Sequence, residues 1–356
     1  LVGSVTILGL TVSQQTDPYQ VISSDREGPI MKLPIILCLF LTLFAFSGAL
    51  AQPANPGWPK SLTIATSSPG GIYLPYGRFL AKLWNQKFGI PVDAVVTQGS
   101  QHNVKLLALG GAQIGMTTMG IALQGWNGTG EWTAGKRYQN IRALFPMYDT
   151  PFQVAVLRRS GITALQQLDH KVVGIGPRAG TGGIYIPDIM KLLGVAPEIR
   201  YGSIDDQATE LLAGRYTASA ALTGAPVPAF SRAEDKEPLT FIRLTPEQIN
   251  AVQKAFPEMS ASTIPIKTYK SLTADYATFG VYNFAIGRAD LPADLVYQMV
   301  KAVFENTPAL AREVSPAADT LPHNVVKDTF LPVHPGAIRY YREIGIQIEP
   351  KLIPAT

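Results

Sequence analysis

Beyond residue 60 the chain alternates short β-branched runs with segments whose apolar residues recur every three or four positions. Leu62-Thr63-Ile64-Ala65-Thr66 predicts a strand, and Tyr76, Phe79, Leu80, Leu83, Trp84 and Phe88 mark one face of the helix after it. Val92 to Thr97 predicts the next strand. A helix opening at Gly99-Ser100 carries Val104, Leu107 and Ala108 inward and closes at Gly110-Gly111, where glycine suits a helix C-terminus. Ile114 to Met119 and Ile141 to Met147 predict two more strands. Tyr148-Asp149-Thr150-Pro151 then has turn chemistry, and Phe152 to Leu157 starts a new strand leading into a second lobe. That lobe repeats the plan: strand Lys171 to Ile175, loop Gly176 to Gly183, and a helix burying Ile186, Ile189, Met190 and Leu193. Asp205-Asp206 begins a helix with Ala208, Leu211 and Leu212 inward, its acids complementing the positive end of the helix dipole. Strands at Ala218 to Leu222 and Leu239 to Leu244 follow. Thr278 to Ile286 returns to the first lobe, ahead of helices at about 294–304 and 335–344.

This pattern predicts an α/β fold in which two lobes are joined by crossover strands, with a ligand cleft formed by loops at the strands' carboxyl ends. The first lobe takes 52–150, the second 151–275, and 276–356 returns to the first and adds the last helices.

The segment ahead of these elements changes where the protein is expected to work. Met31-Lys32-Leu33-Pro34 leads into an apolar run ending at Phe46, too short to span a bilayer, and Ala49-Leu50-Ala51 has the small residues a signal peptidase needs. Residues 31–51 therefore read as a signal peptide cleaved after Ala51, and 1–30 as an over-called upstream segment. The product is expected to be periplasmic. Its single cysteine, Cys38, lies inside the signal, which excludes disulfides, thiol nucleophiles and thiolate metal sites from the exported chain. The four histidines, His102, His170, His323 and His334, are scattered, so no metal and no cofactor is expected. The formal net charge is only +4, and no more than two basic residues are adjacent, which sets nucleic acid aside. A monomer is expected.

The candidate chemistry sits in loops before helices. Ser67, Ser68, Gly70, Gly71 and Tyr73 close the first strand, Gly99, Ser100 and Asn103 open the next helix, and Arg178, Gly180, Thr181 and Gly182 form the second-lobe loop. Glycines admit a ligand close to the backbone, hydroxyls supply hydrogen bonds, and free N–H groups at helix starts favour an anion. Thr223, after a second-lobe strand, completes the set. Each has a plainer reading beside it: Ser100 as a helix cap, Tyr73 as packing at the domain edge, Thr223 as part of a turn and Arg178 as a solvated surface residue. On the functional reading Arg178, the only basic residue in these loops, grips a solute carboxylate, and Ser67, Ser68, Ser100 and Thr181 complete the hydrogen bonds. An exported enzyme is the competing class. Val172 to Gly180 departs from a dinucleotide fingerprint by an extra residue before its third glycine, and no Gly-x-Ser-x-Gly elbow or zinc signature is present.

Several stretches together resemble the TAXI family, the TRAP-associated extracytoplasmic immunogenic solute-binding proteins. They are Leu62 to Tyr73 with its Gly-Gly-x-Tyr, the Gly99-Ser100-x-x-Asn103 helix start, Arg142-Ala143-Leu144-Phe145-x-x-Tyr148, and Leu331-Pro332-Val333-His334-Pro335-Gly336-Ala337-x-Arg339-Tyr340-Tyr341-Arg342-Glu343. The likeness covers nearly all of the chain after the signal, and the C-terminal stretch is its most specific part. It implies a type II periplasmic-binding-protein fold that delivers a small anionic solute, an amino acid or a dicarboxylate such as glutamate or 2-oxoglutarate, to a TRAP-type membrane permease. A membrane sensor or an ATP-driven importer is the alternative user of the same fold. Two departures touch the expected pocket: Ala179 replaces the serine of the family's usual Gly-Ser-Gly-Thr, and Ala221-Leu222-Thr223-Gly224-Ala225-Pro226 replaces the usual Tyr-Val-Gly-Gly-x-Pro.

Overall fold

The computed structural model describes residues 55–355, so the upstream segment, the signal peptide, Cys38 and the cleavage site lie outside the described residues. The chain opens with β1 (Leu62–Ala65), α1 (Tyr73–Phe88), β2 (Val92–Val95), α2 (Ser100–Ala108), β3 (Ile114–Thr118) and α3 (Met119–Asn127). β4 (Ile141–Leu157) leads to β5 (Val172–Gly174), α4 (Thr181–Leu192), β6 (Glu198–Arg200), α5 (Ile204–Leu212), β7 (Ala218–Leu222), α6 (Pro228–Glu234), β8 (Leu239–Phe241), α7 (Pro246–Ala255) and β9 (Ser260–Ile264). β10 (Tyr276–Arg288), α8 (Ala293–Glu305), α9 (Thr307–Glu313) and α10 (Pro335–Glu343) complete it.

The strands are ordered β2-β1-β3-β10-β4-β7-β5-β6, with β8 on β4 and β9 on β10. Parallel strands β1–β3 define the first lobe and parallel β5–β7 the second. Two long antiparallel strands join them. β4 pairs with β10 from Ile141 to Pro151 and with β7 and β8 from Phe152 onward. β10 pairs with β9 at its start and lies between β3 and β4 at its end. The architecture is the expected α/β fold of two lobes, crossover strands and an intervening cleft.

The turn expected at Tyr148-Asp149-Thr150-Pro151 is not there: β4 runs straight through it, and the expected boundary at 150/151 falls inside that strand. Burial overrides local turn chemistry. Tyr148 and Thr150 are almost fully covered, Thr150 pairs with Val281, and the Asp149 carboxylate is engaged by the Ser262 hydroxyl and the Thr150 N–H. The sequence pattern also gives no sign of α3, α6, α7, α9, β6 and β9. In α3 the apolar residues are nearly continuous, so no helical period stands out.

The main core packs α1 against the first-lobe sheet through the fully buried Tyr76, Leu80 and Trp84. α10 lies on α8, and Gly336 permits this because a β-carbon there would sit 2.1 Å from the Ala293 carbonyl oxygen. His334 caps α10, its Nδ1 accepting from the Gly336 N–H at 3.2 Å. Its own N–H donates to the Ala143 carbonyl at 2.9 Å and ties the helix to β4. Tyr340 stacks on Phe304 with ring centres 5.6 Å apart. No helix among the described residues is long and apolar enough to cross a membrane.

Candidate functional site

The ends of β1, β5 and β7 and the starts of α1, α2 and α4 converge on one small pocket between the lobes. Its volume is about 50 Å³, room for a few water molecules or a solute of comparable size. Ser67, Ser68, Gly71, Tyr73, Gly99, Ser100, Gly180, Thr181, Gly182 and Thr223 all line it. A polar chain runs along one wall. The Tyr73 hydroxyl donates to Asn283 Oδ1 at 2.5 Å and lies 3.1 Å from Ser100 Oγ, which lies 2.8 Å from Thr181 Oγ1. Asn283 in turn donates to the Tyr148 carbonyl and the Thr150 hydroxyl, which fixes it against β4. Burial raises the Tyr73 phenol well above its usual range, so the wall stays neutral at any physiological pH.

Two features of this pocket can take a ligand. The backbone N–H groups of Ser100, Thr181 and Gly182 have no acceptor among the described residues, as expected for the first turn of a helix. The Ser68 hydroxyl likewise has no partner among them, although Ser68 is only 8% exposed. Free donors around a pocket can satisfy an oxyanion without a metal or a cofactor.

The lobes touch closely around the pocket. A β-carbon on Gly99, whose φ is +106°, would lie 3.1 Å from Gly180 Cα of the other lobe. The Gln101 N–H donates across the gap to the Ala179 carbonyl at 3.1 Å. On one flank Gly70 faces Asp205, where a β-carbon would come within 2.6 Å of the Asp205 nitrogen. On another, Tyr185 of α4 accepts from Gln124 of α3 at 3.3 Å and donates to Glu258 at 2.6 Å.

Three of the expected site residues lie elsewhere. Arg178 does not line the pocket: it is exposed, with its guanidinium carbon 3.8 Å from the centre of the Tyr201 ring. A buried guanidinium needs an anionic partner, and none of the described residues lining the pocket is acidic, so the side chain turns to solvent and lies on an aromatic face instead. Asn103 is a strut. It donates to the Thr66 and Met116 carbonyls at 2.7 and 2.8 Å and accepts from Thr97 Oγ1 at 2.7 Å, which binds α2 to β1 and β3. Gly70 serves the lobe contact just described. Gly182 and Gly183 also have a structural demand on them, since β-carbons there would strike the carbonyls of Ile175 and Pro177.

Pattern reading missed Gln98, Thr150, Ile175, Gly176, Pro177, Ile204, Ala221, Leu222 and Asn283 as lining residues. Thr150 was absorbed into the expected turn. Asn283 did carry a signal, a polar amide in the middle of the apolar strand Val281 to Ile286. A wider groove of about 770 Å³ lies beside α3, but Asp149, Glu258 and Asp319 line it against a single lysine, Lys327, an unfavourable setting for an anion.

The NMT1-like family model matches residues 64–345. The chain belongs to this family. Among solved structures it is similar to one described as a periplasmic transporter, at 13% identity over 80% of this chain and 92% of that one, with a TM-score of 0.52. It is more distantly similar to the alkanesulfonate-binding protein SsuA from Xanthomonas axonopodis pv. citri bound to MOPS (11% identity, 81% and 91% covered, TM-score 0.45). An ancestral arginine-binding protein bound to arginine matches at 14% identity, 72% and 98% covered, with a TM-score of 0.45. At such identities the likeness is one of fold. None of the C-terminal stretch Leu331 to Glu343 lines the pocket, so the part of the sequence most specific for the TAXI resemblance serves packing.

Proposed function

We propose that this NMT1-like protein is an extracytoplasmic solute-binding protein that captures a small anionic solute by closing its lobes and delivers it to a TRAP-type membrane permease. The observation that carries the reading is the pocket between the two lobes, lined from both sides by N–H groups of α2 and α4 that have no acceptor among the described residues. The sequence resemblance supports the permease, and the apolar run before Ala51 supports the periplasmic location. The arrangement offers recognition without chemistry: its hydroxyls are neutral, and no base among the described residues lining the pocket is placed to activate one of them.

Ligand that binds only the closed form must stabilise it in proportion to the logarithm of its concentration over the dissociation constant. Saturable thermal stabilisation with compaction in small-angle scattering is therefore expected for a small carboxylate. A protein whose melting point and radius of gyration ignore every carboxylate offered would refute solute capture. For the partner, uptake into proteoliposomes holding a TRAP-type permease should require this protein and an ion gradient. Uptake driven by ATP through a different importer would refute the TRAP assignment alone.

A further inference from the structure

Charge inside the pocket narrows the solute further. None of the described residues lining it is acidic or basic. The three charged residues next to lining positions are engaged elsewhere: Arg178 lies over Tyr201, Asp205 pairs with Arg232 at the surface, and the Asp149 carboxylate accepts from the Ser262 hydroxyl and the Thr150 N–H. The fixed positive potential comes from helix starts alone. The first residues of α1, α2, α4 and α5 all line the pocket, and each helix start is worth roughly half an elementary charge, but Asp205 and Asp206 in the first turn of α5 offset that helix's share, which leaves α1, α2 and α4. Two or three of them sum to about one to one and a half, enough for one carboxylate and short of two. A substrate ammonium would meet the same positive ends with no carboxylate to offset them, a costly burial. The remaining wall, Ile175, Pro177, Ile204, Ala221 and Leu222, is apolar. The space of about 50 Å³ is far below the roughly 300–1,000 Å³ of pockets for drug-sized ligands.

We infer that the site selects a small monocarboxylate with a short apolar body, and discriminates against both zwitterionic amino acids and dicarboxylates. The inference rests on the solute-capture reading above and departs from the glutamate and 2-oxoglutarate that the family resemblance implies. The Ser68 hydroxyl, which lines the pocket and has no partner among the described residues, donates to the carboxylate together with the N–H groups of Ser100, Thr181 and Gly182.

Calorimetry of the purified protein at pH 7 tests this with matched probes. Propionate, lactate and pyruvate are the monoanions, propionamide the neutral isostere, alanine the zwitterion, and succinate, 2-oxoglutarate and glutamate the larger or doubly charged arms. At least one monoanion should bind, with propionamide, alanine and every dicarboxylate weaker by about 100-fold or more. Ser68→Ala should weaken that monoanion by about tenfold or more, the usual loss for a hydrogen bond to a charged group. Glutamate, 2-oxoglutarate or alanine binding more tightly than every monoanion would overturn the inference and leave solute capture standing. Propionamide binding as well as propionate would overturn the role of charge. Absence of binding in all arms would overturn the inference and count equally against anion capture.

Discussion

Gly180→Ala separates closing of the cleft from folding of the lobes. Gly180 has φ −87° and ψ 169°, extended values that alanine adopts freely, so the substitution carries no intrinsic backbone penalty. Its new β-carbon would lie 3.0 Å from the Gln98 carbonyl oxygen across the cleft and 3.2 Å from the Pro177 oxygen in its own lobe. Both acceptors are backbone and cannot swing aside as a flexible side chain would. Parting the lobes by a few tenths of an ångström relieves the first clash but stretches the 3.1 Å bond from Gln101 to Ala179 and the 2.8 Å contact between Ser100 and Thr181. Overpacking of this kind costs about 1–3 kcal/mol, and the cost falls on the closed form. Affinity for the carboxylate that binds should therefore drop by about 5- to 150-fold. The unliganded protein, which keeps only the milder Pro177 contact when its lobes part, should melt within about 3 °C of wild type. Calorimetry, thermal denaturation and small-angle scattering measure the three consequences. Wild-type affinity with full compaction would refute the claim that Gly99 and Gly180 must meet for the cleft to close. A fall in melting point of 10 °C or more without ligand would show instead that Gly180 is a folding requirement.

The flank contact and the buried titratable groups give two more expectations. Tyr185→Phe removes the hydroxyl that Gln124 reaches across the cleft and should weaken binding by about 2- to 10-fold, the worth of one net hydrogen bond; unchanged affinity would mean that this flank is not closed when ligand binds. Burial raises the Asp328 carboxyl from 3.8 to about 7, so its contribution to stability declines as pH rises from about 4 to 7. Burial lowers the His334 imidazole from 6.5 to about 4, so its contribution is lost as pH falls from about 6.5 to 4. The two slopes oppose each other over nearly the same window. Asp328→Asn, which keeps an oxygen to accept from the Phe330 and Leu331 N–H groups, should therefore expose a steeper rise in melting temperature between pH 4 and 6.5. An unchanged profile would show that Asp328 titrates normally.

What could be read from residue order was whatever depends on neighbours along one element. The face of α1 was legible because Tyr76, Leu80 and Trp84 repeat at helical spacing and one sheet covers them all. Ser67, Ser68, Ser100 and Thr181 were legible as pocket residues because glycine-rich loops between a strand and a helix open at the same edge of an α/β sheet. Arg178 misled because loop membership does not fix the direction of a side chain; the direction follows from Tyr201, more than twenty positions away. Thr150 and Asn283 were hidden because their place in the pocket follows from the pairing of two strands far apart in sequence, which no local window contains.

That pairing also governs how the chain can reach its native state. β10 lies between β3 and β4, so the first-lobe sheet keeps a gap in its middle until residues 276–288 have been synthesised. Asn283 must find Thr150 from 133 positions away, and Tyr76 must find Thr320 from 244. Contacts of such high order are slow to form because loop-closure entropy is spent before they return anything. An incomplete nascent chain therefore lacks a finished first lobe until β10 has been made.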